Sequence, residues 1–371
     1  MRIAQVAPLY ESVPPKFYGG TERVVSYLTE ELVRQGHEVT LFASGDSETQ
    51  ARLVAACPRG LRHDPHVREP LAHHYIQLDQ VLAQADRFDI IHFHSGYLHF
   101  PVAHRSATAH LTTLHGRLDI PDLMPLYRRY RGMPLVSISD DQRRPLPWAN
   151  WQATVYHGLP TELHYCGTGE GDYLAFLGRV SAEKRLDRAI EIAIRAGMKL
   201  KVAAKIDQAD REYYHETIEP LLDHPLIEWL GEIGDGDKQE FLGNARALLF
   251  PIDWPEPFGL VLIEAMACGT PVIAFRRGSV PELIQDGPSG FIVDSIEEAV
   301  AASARISYLD RQECRRLFEQ RFSAERMTRD YVALYEQIIE AKRQQQFLPA
   351  VNGEAHWNDG AAAPGGAGLI E

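Results

Sequence analysis

Cysteine is scarce in this 371-residue chain. The four present, Cys57, Cys166, Cys268 and Cys314, form no Cys-x-x-Cys pair and no spacing suited to a metal. A disulfide scaffold and a zinc ribbon are therefore not expected. Basic residues are outnumbered too, 38 Lys and Arg against 51 Asp and Glu, for a net charge of −13 and a pI near 5.7. Nucleic acid is bound by neutralising phosphates, so no nucleic-acid partner is expected. Contact with an anionic membrane would be peripheral at most, through basic islands at Arg128, Arg129 and Arg131 and at Arg143 and Arg144. Those islands could also touch an anionic acceptor, and solvated surface is the favoured reading. Long apolar runs are missing: nothing approaches the roughly 20 residues that span a bilayer. The opening Met1-Arg2-Ile3-Ala4-Gln5-Val6 reads as a strand rather than a signal peptide, so the expected compartment is the cytoplasm. No Gly-x-x-x-x-Gly-Lys-[Ser/Thr] loop occurs, and no Gly-x-Gly-x-x-Gly follows a strand; the glycines at 231, 234 and 236 have the wrong spacing. A P-loop ATPase and an NAD-dependent enzyme are both disfavoured.

What is present is 45% apolar residues, enough for packed cores, arranged as short β-rich runs that alternate with helical patterns. Strands are expected at 2–7, 38–43, 89–93, 111–114, 135–138 and 154–156. A second series follows at 173–177, 199–204, 227–230, 247–250, 272–275 and 291–293. A helix from Thr21 carries Val24, Val25, Leu28 and Leu32 on its inward stripe and ends at Gly36. Another follows the seventh strand with the spacing of Leu186, Ile190 and Ile194. The fold class is α/β, as two successive open units with parallel sheets: 1–158 and 172–322, joined by a Gly- and Pro-bearing linker at 159–171. A long amphipathic helix over 323–345 shows Met327, Tyr331, Leu334 and Ile338 along one side. The tail, 346–371, is Gly- and Ala-rich and expected to be disordered.

Three glycine-marked places lie where a strand should give way to a helix, the edge at which open α/β sheets bind ligands. The first is Tyr18-Gly19-Gly20-Thr21, where two glycines let backbone approach a ligand closely. The second is Gly178-Arg179 with Lys184 five residues on; two cations there suit a diphosphate or are ordinary helix-end charge. The third is Glu256-Pro257-Phe258-Gly259 followed by a run to Gly269 that is apolar on every side except for Glu264. A helix with no polar face is buried, and a buried carboxylate needs a partner. For Glu264 that partner is either an internal Arg or Lys or the hydroxyls of a ligand. With the helix starting near Pro257, the amides of Phe258, Gly259 and Leu260 would offer a partly positive end beside Glu256. His92, His94 and His115 fall near strand ends; they read as a metal trio or as structural hydrogen-bonding groups, with His115 able to reach an interdomain cleft.

Taken together these residues resemble glycosyltransferase family 4. Glu256-Pro-Phe-Gly with Glu264-Ala-Met-Ala-Cys-Gly-Thr-Pro is similar to the Glu-x7-Glu motif of retaining enzymes, Gly178-Arg179-x4-Lys184 to their diphosphate-binding pair, and Tyr18-Gly19-Gly20 to their N-terminal glycine loop. Gly278-x2-Pro281-Glu282 and Gly287-x2-Gly290-Phe291 resemble the C-terminal continuation. Tyr156-His157-Gly158 departs from the Asn-Gly many members carry before the linker. The resemblance implies the GT-B fold: two facing Rossmann-like domains with an interdomain cleft, an N-terminal acceptor domain, a C-terminal nucleotide-sugar donor domain, and a final helix crossing back to the first domain. It implies a retaining hexosyltransferase that moves a hexose from a UDP- or GDP-linked sugar to an unidentified acceptor, which could be a glycan, a lipid-linked sugar or a small molecule. Glu264 would receive the ribose; Glu256, with the amides of Phe258 and Gly259, the donor sugar; Arg179 and Lys184 the diphosphate. Gly19 and Gly20 would close from the other domain, and His115 would face the donor sugar. No metal and no further cofactor are implied. The rivals are a GT-B sugar-nucleotide epimerase or phosphorylase and a non-catalytic sugar-nucleotide-binding module; oligomeric state is left open.

Overall fold

A computed structural model of the chain describes residues 1–16 and 19–347. Seven strands form the first sheet: β1 Arg2–Val6, β2 Glu38–Ala43, β3 Arg52–Ala55, β4 Ile90–Phe93, β5 Ala109–Thr113, β6 Leu135–Ser137 and β7 Trp151–Thr154. Six form the second: β8 Tyr173–Arg179, β9 Lys199–Lys205, β10 Ile227–Gly231, β11 Ala247–Phe250, β12 Val272–Phe275 and β13 Gly290–Val293. Every pairing is parallel. The orders, β3-β2-β1-β4-β5-β6-β7 and β10-β9-β8-β11-β12-β13, start from the same pattern, each reversing direction beside its first strand. That is the doubly wound order, with its ligand crevice between the first and fourth strands.

Both faces of each sheet are covered, which is why the strands read as continuous apolar runs; β11, Ala-Leu-Leu-Phe, is buried at every position. Side chains alternate between two cores. In the first unit Ile3, Ile90 and Leu111 face one layer and Ala4, Ile91 and Phe93 the other. The Gly20–Arg34 helix buries Val24, Val25, Leu28 and Leu32 as its spacing requires. The final helix runs over Ala324–Phe347 and crosses back to the first sheet, where Met327, Tyr331, Leu334 and Tyr335 pack against Ile3, Leu28 and Leu32. Among the described residues no helix is long and apolar enough to cross a membrane.

Some expectations are corrected. The strand placed at 154–156 lies at Trp151–Thr154, because its pairing with β6 runs from Leu135 and Trp151 to Ser137 and Thr154. β3 went unread: its Arg-Leu-Val-Ala has no fully buried position, so no apolar signal marks it. The expected disordered segment 346–371 lies outside the described residues from 348 onward, as does Tyr18 of the glycine loop.

The two units touch directly. Arg23 pairs with Asp235 and Arg117 donates to Glu183 at 3.0 Å. The Glu282 carboxylate accepts from the amides of Asp140 and Asp141, each at 2.7 Å. If the final helix holds the first unit through its apolar stripe, Met327→Ala leaves a cavity in a fully buried site. It should then cost about 2–5 kcal/mol, read as a lowered urea midpoint. A cost below about 1 kcal/mol, within the range of a surface substitution, would mean that the stripe is not what binds the helix.

Candidate active site

A cavity of about 700 Å³ opens between the units, where the carboxyl ends of both sheets face each other. All nine residues singled out from the sequence line it. They arrive from the two crevices: Gly19 and Gly20 follow the loop after β1, His115 follows β5, Arg179 ends β8, and Glu256 to Gly259 follow β11.

At the base of the cavity lies Glu264, 5% exposed, in the Leu260–Ala267 helix. Its partner is internal: Lys238, from the Asp235–Asn244 helix, donates to Oε1 at 2.8 Å. Of the two readings open from the sequence, an internal cation is thus present. Burial pushes the Glu264 carboxyl up, but the charge and hydrogen bond of Lys238, with Arg23 and His164 nearby, more than offset this and leave it below its ordinary value. Asp235 bridges the group, 3.2 Å from Lys238 and paired with Arg23 of the opposite unit. Lys238, Asp235 and Arg23 were missed in the sequence because no spacing marks them; 26 residues separate Lys238 from Glu264.

The helix start is also corrected. It begins at Leu260, not near Pro257, because Gly259 holds a left-handed backbone (φ 84°) that turns the chain into the helix axis. The amides of Phe258 and Gly259 therefore belong to the preceding turn. The far end is as read: Gly269, at φ 66°, closes it.

Above this base stand two cations. Arg179 is ringed by Asp210 at 3.4 Å, Asp207 at 3.7 Å and Glu183 at 4.0 Å, yet its Nε has no hydrogen-bond partner. Lys184 pairs with Glu256, which also accepts from the Trp254 indole at 3.1 Å. The Lys184 ammonium lies 5.4 Å from the centre of the Trp254 ring and 5.5 Å from that of Phe250. Lys184 precedes the following helix, Leu186–Ala196, which is entered through Arg185 in a left-handed conformation. The arrangement offers an anion two positive groups held by carboxylates but not locked in forked hydrogen bonds.

The opposite wall is a chain of neutral histidines. The Gln5 amide donates to Tyr335 Oη at 3.1 Å, and its Oε1 lies 2.8 Å from His94 Nε2. His94 Nε2 must then carry the proton, so His94 Nδ1 accepts from His115 Nε2 at 2.9 Å. That leaves His115 Nδ1 as a bare acceptor, buried and without a partner. His115 stacks on His157 at 5.2 Å, and His157 packs on Phe258 at 4.6 Å. A metal trio is not formed, since both nitrogens of His92 are taken, by Tyr335 and Thr113, each at 2.7 Å. Among the described residues no cluster of three or more His, Cys, Asp or Glu is placed to hold a metal. Glu22, buried on the same side and unremarked in the sequence, has its carboxyl pushed up by burial to about 7.

These histidines make stability depend on pH. Burial holds His92, His94, His99 and His157 well below the ordinary imidazole value and His115 at about 3. Groups so depressed stay neutral when folded but take protons in the unfolded chain below about pH 6.5, so stability is full above that value and falls on acidification. Each loses about 1.4 kcal/mol by one pH unit lower. Glu22 works the other way, its raised pKa favouring the fold as pH falls, but one proton against five leaves the sign unchanged. We expect a loss on the order of 5 kcal/mol between pH 7.5 and 5.5. Thermal unfolding in the two buffers checks it, and an unmoved midpoint would contradict the neutral assignment.

Comparison with known proteins agrees with this geometry. Residues 18–155 match the family model for "Glycosyltransferase Family 4" and residues 168–348 that for "Glycosyl transferases group 1". The N-acetyl-alpha-D-glucosaminyl L-malate synthase of Bacillus anthracis is 26% identical over 374 aligned residues, covering 86% of this chain and 94% of that one. Among solved structures, sucrose-phosphate synthase from Thermosynechococcus elongatus superposes with a TM-score of 0.75 at 18% identity, over 92% of this chain and 100% of that one. HepE of Anabaena, in complex with UDP and glucose, superposes with a TM-score of 0.71 at 17% identity, over 91% and 100%. With both family models matched in order along one chain and both sheets in GT-B arrangement, the chain belongs to glycosyltransferase family 4 and is a glycosyltransferase.

Proposed function

We propose that this enzyme moves a hexose from a UDP- or GDP-linked sugar to an acceptor hydroxyl with retention of configuration and without a divalent metal. The observation that carries the reading is the pair Arg179 and Lys184 at the crevice of the second sheet, facing Gly19 and Gly20 across the cavity, with Glu264 and Lys238 beneath. A diphosphate in this crevice meets two cations in the positions a metal ion would otherwise fill. They are fixed before charge develops on the leaving group, which is the main source of rate in such a step. Glu264 and Lys238 supply an acceptor and a donor for the ribose hydroxyls. Glu256 and the bare His115 Nδ1 accept from hydroxyls of the hexose, at the end of the cavity that the histidine stack walls off from water. HepE, which shares this fold, was solved in complex with UDP and glucose, in keeping with a uridine-linked donor here. The acceptor enters from the first unit.

Loss of one preorganised donor to a developing anion costs roughly 10²–10³ in turnover, so Arg179→Ala and Lys184→Ala should each fall by that much in a coupled release assay. Near-normal turnover in both would remove the pair from the mechanism. Retention is read separately. Proton NMR of donor hydrolysis without acceptor should show the donor's own anomer appearing first. An inverted first product would overturn the retaining assignment, and a donor epimerised without net release of nucleoside diphosphate would favour the epimerase.

A further inference from the structure

A second cavity, of about 620 Å³, lies at the far edge of the first sheet, where β5, β6 and β7 begin rather than end. Its wall carries His104, His110, Arg129 and Lys342, and no carboxylate, in a chain with 51 acidic residues to 38 basic ones. Lys342, on the final helix, donates to the Ser106 carbonyl at 2.9 Å, and the Arg129 guanidinium lies 5.8 Å from the centre of the Tyr130 ring. Among the described residues neither cation is in an ion pair. One of the basic islands singled out in the sequence, Arg128 to Arg131, therefore borders a recess instead of only open surface.

His110 supplies a second, independent observation. It is 8% exposed, and its Nδ1 donates to the Thr108 carbonyl at 3.1 Å, so Nε2 carries the lone pair. That nitrogen is buried without a hydrogen-bond partner, and a ligand in the recess would supply one. The charged groups that face the ring are Lys342 from the final helix, His104 beyond the Phe100–Ala103 helix and Arg129 from the Met124–Arg129 helix. Burial, with repulsion from Lys342 and His104, keeps the empty ring neutral.

We propose that this recess is a second ligand site, specific for a phosphate monoester and separate from the cleft. Arg129 and Lys342 take the dianion, and His110 Nε2 donates to a further oxygen after gaining a proton from solvent. An arriving dianion offsets the repulsion that kept the ring neutral, so binding takes up a proton and strengthens as pH falls. The same chemistry could come from a free metabolite or from a lipid headgroup.

Calorimetric titration of the full chain with glycerol 3-phosphate, and flotation with phosphatidic acid in phosphatidylcholine vesicles, test it at pH 6 and pH 8. We expect glycerol 3-phosphate to bind a few-fold tighter at pH 6 than at pH 8, with proton uptake by the ring, since a coupled pKa shift of about a unit gives at most tenfold and the ligand's own second ionisation near pH 6 works against it. His110→Asn should lose the pH dependence, and Arg129→Ala/Lys342→Ala should lose binding. Lys184→Ala, in the cleft, should leave it unchanged. Association with vesicles alone, sensitive to the same double variant, identifies the headgroup as the source. No binding of either probe at pH 6, or binding that survives the double variant or depends on Lys184, overturns the site. Unchanged nucleoside diphosphate binding by the double variant verifies that it is folded.

Discussion

Two tyrosine hydroxyls on the final helix hold the functional wall of this enzyme together. Tyr331 and Tyr335 are buried, and a buried hydroxyl must find a partner. Tyr331 bonds Thr113 at 2.9 Å, and Tyr335 bonds both His92 and Gln5. Because Gln5 can present only one oxygen, its bond to Tyr335 through nitrogen turns that oxygen to His94, and the tautomers of His94 and His115 follow. The last segment of the chain thus sets which nitrogen of His115 is left without a proton. It does so on the sheet face that it covers, through Gln5 on β1 and His92 on β4, which lie side by side only because the strand order reverses there.

The second wall obeys a different constraint. An acidic chain must hold two cations in a cleft without burying them permanently, and it does so with carboxylates at 3.4–4.0 Å from Arg179. Pairs between such part-exposed groups are worth roughly 0–1 kcal/mol. A diphosphate bound as proposed, with more charge and better geometry, would displace them at small cost. Lys238 and Glu264 contrast with this. Glu264 is buried and the Lys238 side chain is 14% exposed, and removing one partner of a buried pair costs about 3–5 kcal/mol, so this pair would be kept on ligand binding and would offer its remaining hydrogen-bonding capacity. The site therefore divides into an exchangeable upper part and a permanent floor.

This division also explains what the sequence disclosed. Apolar runs and helical spacing reveal elements that are buried on two faces, so most strands and the Val24–Leu32 and Met327–Leu334 stripes were legible. β3 was not, because an edge strand with no buried residue leaves no such mark. Backbone turns are visible only where glycine announces them. Gly269 did so, whereas Arg185 takes a left-handed conformation with an ordinary side chain, so nothing in the sequence announces the turn into the helix that starts at Leu186. Glu264 betrayed itself as a lone charge in an apolar helix. Its partner could not, since Lys238 sits in a polar helix where one more lysine is unremarkable and only the fold brings it within 2.8 Å. The histidines show the same limit: alternation puts His92 and His94 on one face, but whether they bind metal or each other's neighbours depends on Tyr335, more than 200 positions away.

The pivot between the two units follows from where the strong contacts lie. Near the linker the bonds are sheltered: Arg326 donates to the carbonyls of Tyr156 at 2.7 Å and His157 at 2.9 Å, and Leu159 bridges to Ser323. Glu282 joins them, accepting from Tyr156 Oη at 3.1 Å as well as from two amides of the first unit. At the far rim the units meet through Arg117 and Glu183, which are 43% and 39% exposed, whereas Arg23, 6% exposed, meets Asp235 beside the floor of the cavity. Exposed ion pairs yield before shielded hydrogen bonds to charged groups. Separation of the units must then begin at the rim and swing about Tyr156 and Glu282. His157 lies at that pivot, stacked on His115 on one side and packed on Phe258 on the other. A swing about this point would open the end of the cavity near Arg179 while disturbing the His115–His157–Phe258 stack least, so the floor and the histidine wall would stay assembled if the cationic end admits the proposed donor.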